Sequence, residues 1–145
     1  MIREAEPKDS SVIENLYKKL APHSKNLKVL PERIEQIRND PNNFLFVYEE
    51  DHVIKGSIFI TFCLDPGYEF RPYTIVEYVI VGEGYRGEGV GKKLLKHVEK
   101  VSIIRESTRI ILLSSVARTE AHKFFTNNGY DGTISKGFKK YIPIV

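Results

Sequence analysis

The sequence predicts a mixed α/β (α+β) fold: a mixed central sheet of about six to seven strands flanked by about four helices, in one domain spanning 1–145. Three observations predict it. The patterned segments run β-α-α-β-β-β-α-β-α-β, so only some strands alternate with helices. Two apolar runs, 44–48 and 53–62, meet at Glu50-Asp51-His52, which reads as a hairpin. The run 109–114 (RIILLS) is almost continuously apolar, as in a strand buried on both faces.

The elements follow in order. Residues 2–5 read as a short strand. Asp9 or Ser10 can cap a helix whose apolar positions, Val12, Ile13, Leu16, Tyr17 and Leu20, share one face. Pro31 suits the first turn of a second helix carrying Ile34 and Ile37, and Asp40-Pro41-Asn42-Asn43 stops it. After the hairpin comes a loop at 64–73 (LDPGYEFRPY), rich in turn formers and aromatics. A strand over 74–81 leads into a glycine-rich loop. Val90, Leu94, Val98 and Val101 then keep helical spacing. Beyond the strand at 109–114, a short helix turns Ala121, Phe124 and Phe125 inward and stops at Asn128-Gly129. Residues 138–144 read as a last strand.

The chain has 145 residues, 41% hydrophobic and 28% charged, with a net charge of +3. That is the composition of a soluble globule. Lysine and arginine are scattered, so no nucleic-acid surface is expected. No apolar run reaches membrane length and the first residues are too polar for a signal peptide, so the expected location is cytoplasmic. His23, His52, His97 and His122 lie far apart without cysteine partners, and no metal site is expected. The single Cys63 reads as a small strand residue. The expected state is a monomer or a homodimer.

The chemistry concentrates in Tyr85-Arg86-Gly87-Glu88-Gly89-Val90-Gly91-Lys92. Gly87, Gly89 and Gly91 leave backbone N–H groups bare, and a helix starting there points those groups and its positive dipole end at a ligand. Arg86, Lys92 and Lys93 add charge, so the loop reads as a phosphate cradle. A Walker-type loop fails, because Gly87 and Gly91 enclose three residues instead of four and Lys93 follows Lys92. A dinucleotide fingerprint is present as Gly82-x-Gly84-x-x-Gly87, but the helical period begins near Val90.

The third spacing, Arg86-x-x-Gly89-x-Gly91, resembles the pyrophosphate loop of the Gcn5-related N-acetyltransferase (GNAT) superfamily, which binds acetyl-coenzyme A. The run Ala121-His122-Lys123-Phe124-Phe125-Thr126-Asn127-Asn128-Gly129-Tyr130 is similar to that family's Ala-x-x-x-Tyr-x-x-x-Gly-Phe segment. Arg118-Thr119-Glu120-Ala121-His122, with Gly129-Tyr130, Ser135 and Phe138-Lys139-Lys140, resembles a bacterial subgroup of small-amine acetyltransferases, among them the aminoalkylphosphonate enzyme. The resemblance implies the GNAT fold and acetyl-coenzyme A as co-substrate. Its implied contacts are Val79, Ile80 and Val81 on the strand, Arg86, Gly87, Glu88, Gly89, Val90, Gly91 and Lys92 in the cradle, and Arg118, His122 and Phe125 beyond. Two positions depart from the family. Its usual tyrosine near the coenzyme sulfur is Phe125, and its frequent asparagine falls at Arg118.

Acyl transfer to an amine needs a group that accepts the ammonium proton. Glu77 is the candidate, on the same face as Val79 and Val81 by period 2, or else a solvated strand residue. A backbone N–H near 79–81 is the candidate donor to the developing oxyanion. Tyr130 is either a substitute acid or an aromatic plug after Gly129, and His122 either a coenzyme contact or a half-buried helix residue. The acceptor, an amine of a small molecule or peptide, is expected between the first two helices and the loop carrying Tyr68, Glu69, Arg71 and Tyr73, with His23 and Lys25 nearby. Two other functions stay open: a non-catalytic acyl-coenzyme A sensor, and an NAD(P)-dependent oxidoreductase.

Overall fold

The computed structural model describes residues 1–144 as two compact units, Met1–Leu112 and Leu113–Val145. The first holds β1 (Ile2–Glu4), α1 (Ser10–Leu20), α2 (Pro31–Arg38), β2 (Asn43–Glu50), β3 (Val53–Cys63), β4 (Tyr73–Val81), α3 (Val90–Ile104) and β5 (Ile110–Leu112). The second holds α4 (Thr119–Asn127).

The five strands lie in the order of the chain. The first three neighbour pairs are antiparallel and β4–β5 is parallel. A parallel pair needs a crossover, and α3 supplies it. The mixed α/β class is as read from the sequence, with five strands among the described residues instead of six or seven. Residues 138–144 form no strand there, and Phe138, Tyr141 and Ile144 are exposed. Their alternation meets no partner strand, and without a ladder it makes none.

The β2–β3 turn is tighter than its sequence suggests. Asp51 and His52 alone span it, at φ 53° and 64°. Positive φ at both central residues is the mark of a turn whose twist matches the strands it joins.

Each face of the sheet has its own cover. Ile13, Leu16 and Tyr17 of α1 and Ile34 of α2 are buried against Leu45, Val47 and Ile80. Val12 lies outside this core at 43% exposure, so the buried stripe of α1 is narrower than its apolar pattern. On the other face α3 buries Val90, Leu94 and Val98. A Cβ on Gly56 would fall 2.9 Å from Val90 Cγ1, so the first turn of α3 lies directly on β3. Strand β5 is half-buried, not buried on both faces. No helix of the described residues is long and apolar enough to cross a membrane.

Candidate active site

The cradle forms where β4 runs into α3. A 3-10 turn, Glu83–Tyr85, follows Gly82, and the chain reaches α3 through Gly87 and Gly89 at φ 84° and 82°. No side chain caps α3, and the first helical bond is Lys93 N–H to the Gly89 carbonyl at 3.0 Å. The amides of Val90, Gly91 and Lys92 therefore lack an intrahelical acceptor. Nothing lies within 4 Å of where a Cβ on Gly84, Gly87 or Gly89 would be. The space in front of the helix is open, and the dipole of a four-turn helix points into it. Gly82, Gly84 and Gly87 all precede Gly89, the residue that opens the helix, so the dinucleotide spacing does not coincide with a helix start.

The loop is anchored from behind. Lys55 Nζ donates to Glu50 at 2.7 Å and Glu88 at 3.3 Å, and lies over the Tyr85 ring. Its hydrogen bonds to Glu50 and Glu88 outweigh burial and push the Lys55 ammonium above its ordinary value. Lys93 Nζ donates to the Tyr48 hydroxyl at 3.2 Å. Glu88 is thus a structural strut of the cradle. Arg86 and Lys92 are exposed and make no ion pair among the described residues.

Strand β4 carries a bulge. Phe59 faces Glu77 while Ser57 faces Ile80, so two residues of β4, Tyr78 and Val79, oppose Ile58. Tyr78 has φ 53°. The extra residue breaks the period of two. Directly opposed residues share a face, and Ser57 and Phe59 point the same way, so Glu77 lies on the face of Ile80 and not on that of Val81. That corrects the face assigned from alternation. Beyond the bulge β4 also outruns β5: their pairing ends at Val76–Leu112, and among the described residues no strand pairs with 77–81 on that side.

A cleft of about 620 Å³ opens between α1, α2, their connecting loop and the sheet; its lining reaches Tyr78, the neighbour of Glu77, and does not include Glu77 itself. Its floor includes Leu45, Phe59, Tyr17 and Tyr78. The rings of Tyr17 and Tyr78 stack at 4.3 Å, 11° from parallel. Burial, then Tyr78 and the Glu77 carboxylate, push the Tyr17 phenol above its usual range. Glu77 itself is exposed. The connecting loop is fastened by Glu14, which accepts the Val29 N–H at 2.9 Å and pairs with Lys18 at 2.9 Å. Those bonds hold its carboxyl down at about 2.

Tyr68, Glu69, Arg71 and Tyr73 do not line this cleft. They precede or begin β4, whereas the cradle follows it, so they lie at opposite ends of the strand. Arg71 donates to the Glu106 carbonyl at 2.9 Å, and Arg109 stacks on Tyr73 at 4.5 Å. The direction of β4, legible in the sequence, gave that away. Ser24 and Asn26 line the cleft, and His23 and Lys25 do not.

In the second unit Phe125 is buried, its ring 5.5 Å from Phe124 and 6.3 Å from Tyr130. His122 Nε2–H donates to the Ser115 carbonyl at 2.8 Å, and exposed Arg118 precedes the first residue of α4. Among the described residues no group of three His, Cys, Asp or Glu side chains could hold a metal ion.

The sequence profile described as "Acetyltransferase (GNAT) family" matches residues 11–130. No curated protein matches the chain closely enough to count as a relative. Among solved structures, a chain from Agrobacterium tumefaciens is 22% identical over 98% of this chain and 99% of its own, with a TM-score of 0.88. A transcriptional regulator from Bacillus halodurans is 23% identical over 98% and 99%, at 0.87. Glucosamine-6-phosphate N-acetyltransferase from Arabidopsis thaliana is 23% identical over 99% and 98%, at 0.81. At these identities the likeness is one of fold.

Proposed function

The chain belongs to the acetyltransferase (GNAT) family, and on that premise we propose that it moves an acetyl group from acetyl-coenzyme A to a primary amine of a small molecule or peptide. The supporting observation is the uncapped α3 terminus and its open glycines, continuous through β4 with Glu77, whose neighbour Tyr78 lines the cleft. Bare amides at the positive end of a helix dipole suit a pyrophosphate. Arg86 and Lys92 supply its counter-charge, and the unpaired stretch 77–81 offers amides to the rest of the molecule.

In direct attack the amine nitrogen forms a bond to the acetyl carbon and the carbon–sulfur bond breaks. Glu77 accepts the proton that the ammonium must lose. A backbone amide of 79–81 donates to the developing oxyanion. The thiolate departs as the anion of an acid with pKa of about 8.5, so the step proceeds without a phenol at Phe125. Tyr130 is the remaining candidate acid in the second unit, where Arg118 and His122 are candidate coenzyme contacts.

A second reading, an acyl-coenzyme A sensor without turnover, draws on one observation: Phe125 is buried among rings and has no proton to give. Calorimetry with acetyl-coenzyme A and with NADPH tests the ligand, and thiol release over a panel of amines tests the turnover. We expect acetyl-coenzyme A to bind, NADPH not to bind, and at least one amine to release thiol. Binding without release from any amine favours the sensor.

A further inference from the structure

Resting on the acetyl-transfer reading, the cleft beside Glu77 carries an assignment of the acceptor. The cleft has two electrically different ends. Leu45, Phe59 and Glu77 are directly opposed across β2, β3 and β4, so they form one row. Strands lie about 4.8 Å apart, which puts the Glu77 end about 10 Å from the Leu45 end. Over the far end lies α2, which turns Arg33, Gln36 and Ile37 into the cleft.

Charge distinguishes the two ends further. The lining residues include two cations, Lys28 and Arg33, and one acid, Asp40. Asp40 keeps its negative charge and is engaged by its own loop. Its Oδ1 accepts the Asn42 N–H at 2.7 Å, and that bond, with one from the Asn43 side chain, holds its carboxyl below the ordinary range. Lys28 lies 3.6 Å from Glu14. The Arg33 guanidinium has no partner among the described residues. An unpaired guanidinium at the wall of a cleft suits a carboxylate, which it can hold with two parallel hydrogen bonds. Between the ends the floor is apolar, while Asn26 and Gln36 on the walls offer amide donors and acceptors. Apolar side chains on an amide backbone match that lining better than a bare alkyl chain does.

We infer that the acceptor is a short peptide, acetylated at its amino terminus beside Glu77, with its terminal carboxylate held by Arg33. An extended chain covers about 3.3–3.6 Å per residue, so about 10 Å corresponds to three residues. A single amino acid is too short to reach both ends.

The test compares a tripeptide with an apolar centre, Ala-Leu-Ala, as free acid and as carboxy-terminal amide. The acid should be used about tenfold better in kcat/KM, with the difference in KM. In Arg33→Gln that ratio should fall below about twofold while use of the amide stays as it was, and Arg33→Lys should keep part of the preference. A loss of folding would lower both substrates together and leave the ratio intact. Equal use of acid and amide by the unaltered protein, or an unchanged ratio in Arg33→Gln with use of the amide as in the unaltered protein, overturns the anchor. Equal use of 8-aminooctanoate overturns the peptide. Calorimetry of the acid with coenzyme A present reads the anchor without turnover. Binding of acid over amide with no thiol release from any amine keeps the anchor and ends the transfer reading.

Discussion

Glu77 shares a face with Ile80 because Tyr78 and Val79 form a bulge within β4. The bulge puts the carboxylate on the α1 face, against a ring pair. As the proton acceptor, Glu77→Gln should lower the acetylation rate about a hundredfold near neutral pH. The loss should shrink as pH rises and free amine accumulates. Rates across pH 6 to 9.5 check this, and a flat loss would make Glu77 structural. Gly89 is the second decisive residue. At φ 82° it opens α3 with no side chain in front of the helix's first amides. Gly89→Asp places a carboxylate there and should abolish coenzyme binding in calorimetry. Unchanged affinity with unchanged circular dichroism would move the phosphate site elsewhere.

At the scale of elements, one arginine ties the start of the chain together. Arg3 of β1 forms two bonds to Asp9 at 2.8 and 3.2 Å and two to Glu49 of β2 at 3.1 and 3.2 Å. Burial alone would raise the Asp9 carboxyl, but bonds from Arg3 and the Glu6 amide hold it below its ordinary value. Removing Arg3 leaves a buried carboxylate unpaired, at a cost of about 3 kcal/mol. Urea unfolding of Arg3→Ala should show that loss at pH 7. The sign with pH follows from the lowered value. The contribution is full above the unfolded-state pKa of 3.8 and is lost as pH falls through the lower folded value. The variant and its parent should therefore converge in acid. A difference that stays constant from pH 7 into acid would remove Asp9 from the account.

For the molecule as a whole, coenzyme at a hundred times its dissociation constant should add about 2.7 kcal/mol of stability. That corresponds to a rise in Tm of about 8 °C for a chain of this size. A melting curve unmoved by acetyl-coenzyme A would remove the cradle as its site. Much of this molecule was legible beforehand. The helix starts at Ser10 and Pro31, the hairpin and the glycine-rich turn before α3 all carry local signals that their surroundings do not override. The bulge was not legible, because Tyr78 sits in a run of strand formers with no glycine or asparagine to mark its φ. Arg33 was not, because a cation on an exposed helix face reads as solvated. The strand at 138–144 was over-read, since pairing needs a neighbour that periodicity does not reveal.

The stretch of β4 beyond Val76 has a consequence for handling the protein. A run of unsatisfied amides and carbonyls on a strand is a template for any other extended chain, including another copy of itself. Its residues, Glu77 to Val81, are apolar in all but the first. The edge proposed for the coenzyme is thus also one on which copies of the empty protein can pair. Turbidity on warming should appear earlier without the coenzyme than with it, by more than the shift in melting alone, because the ligand masks the surface on which precipitation nucleates.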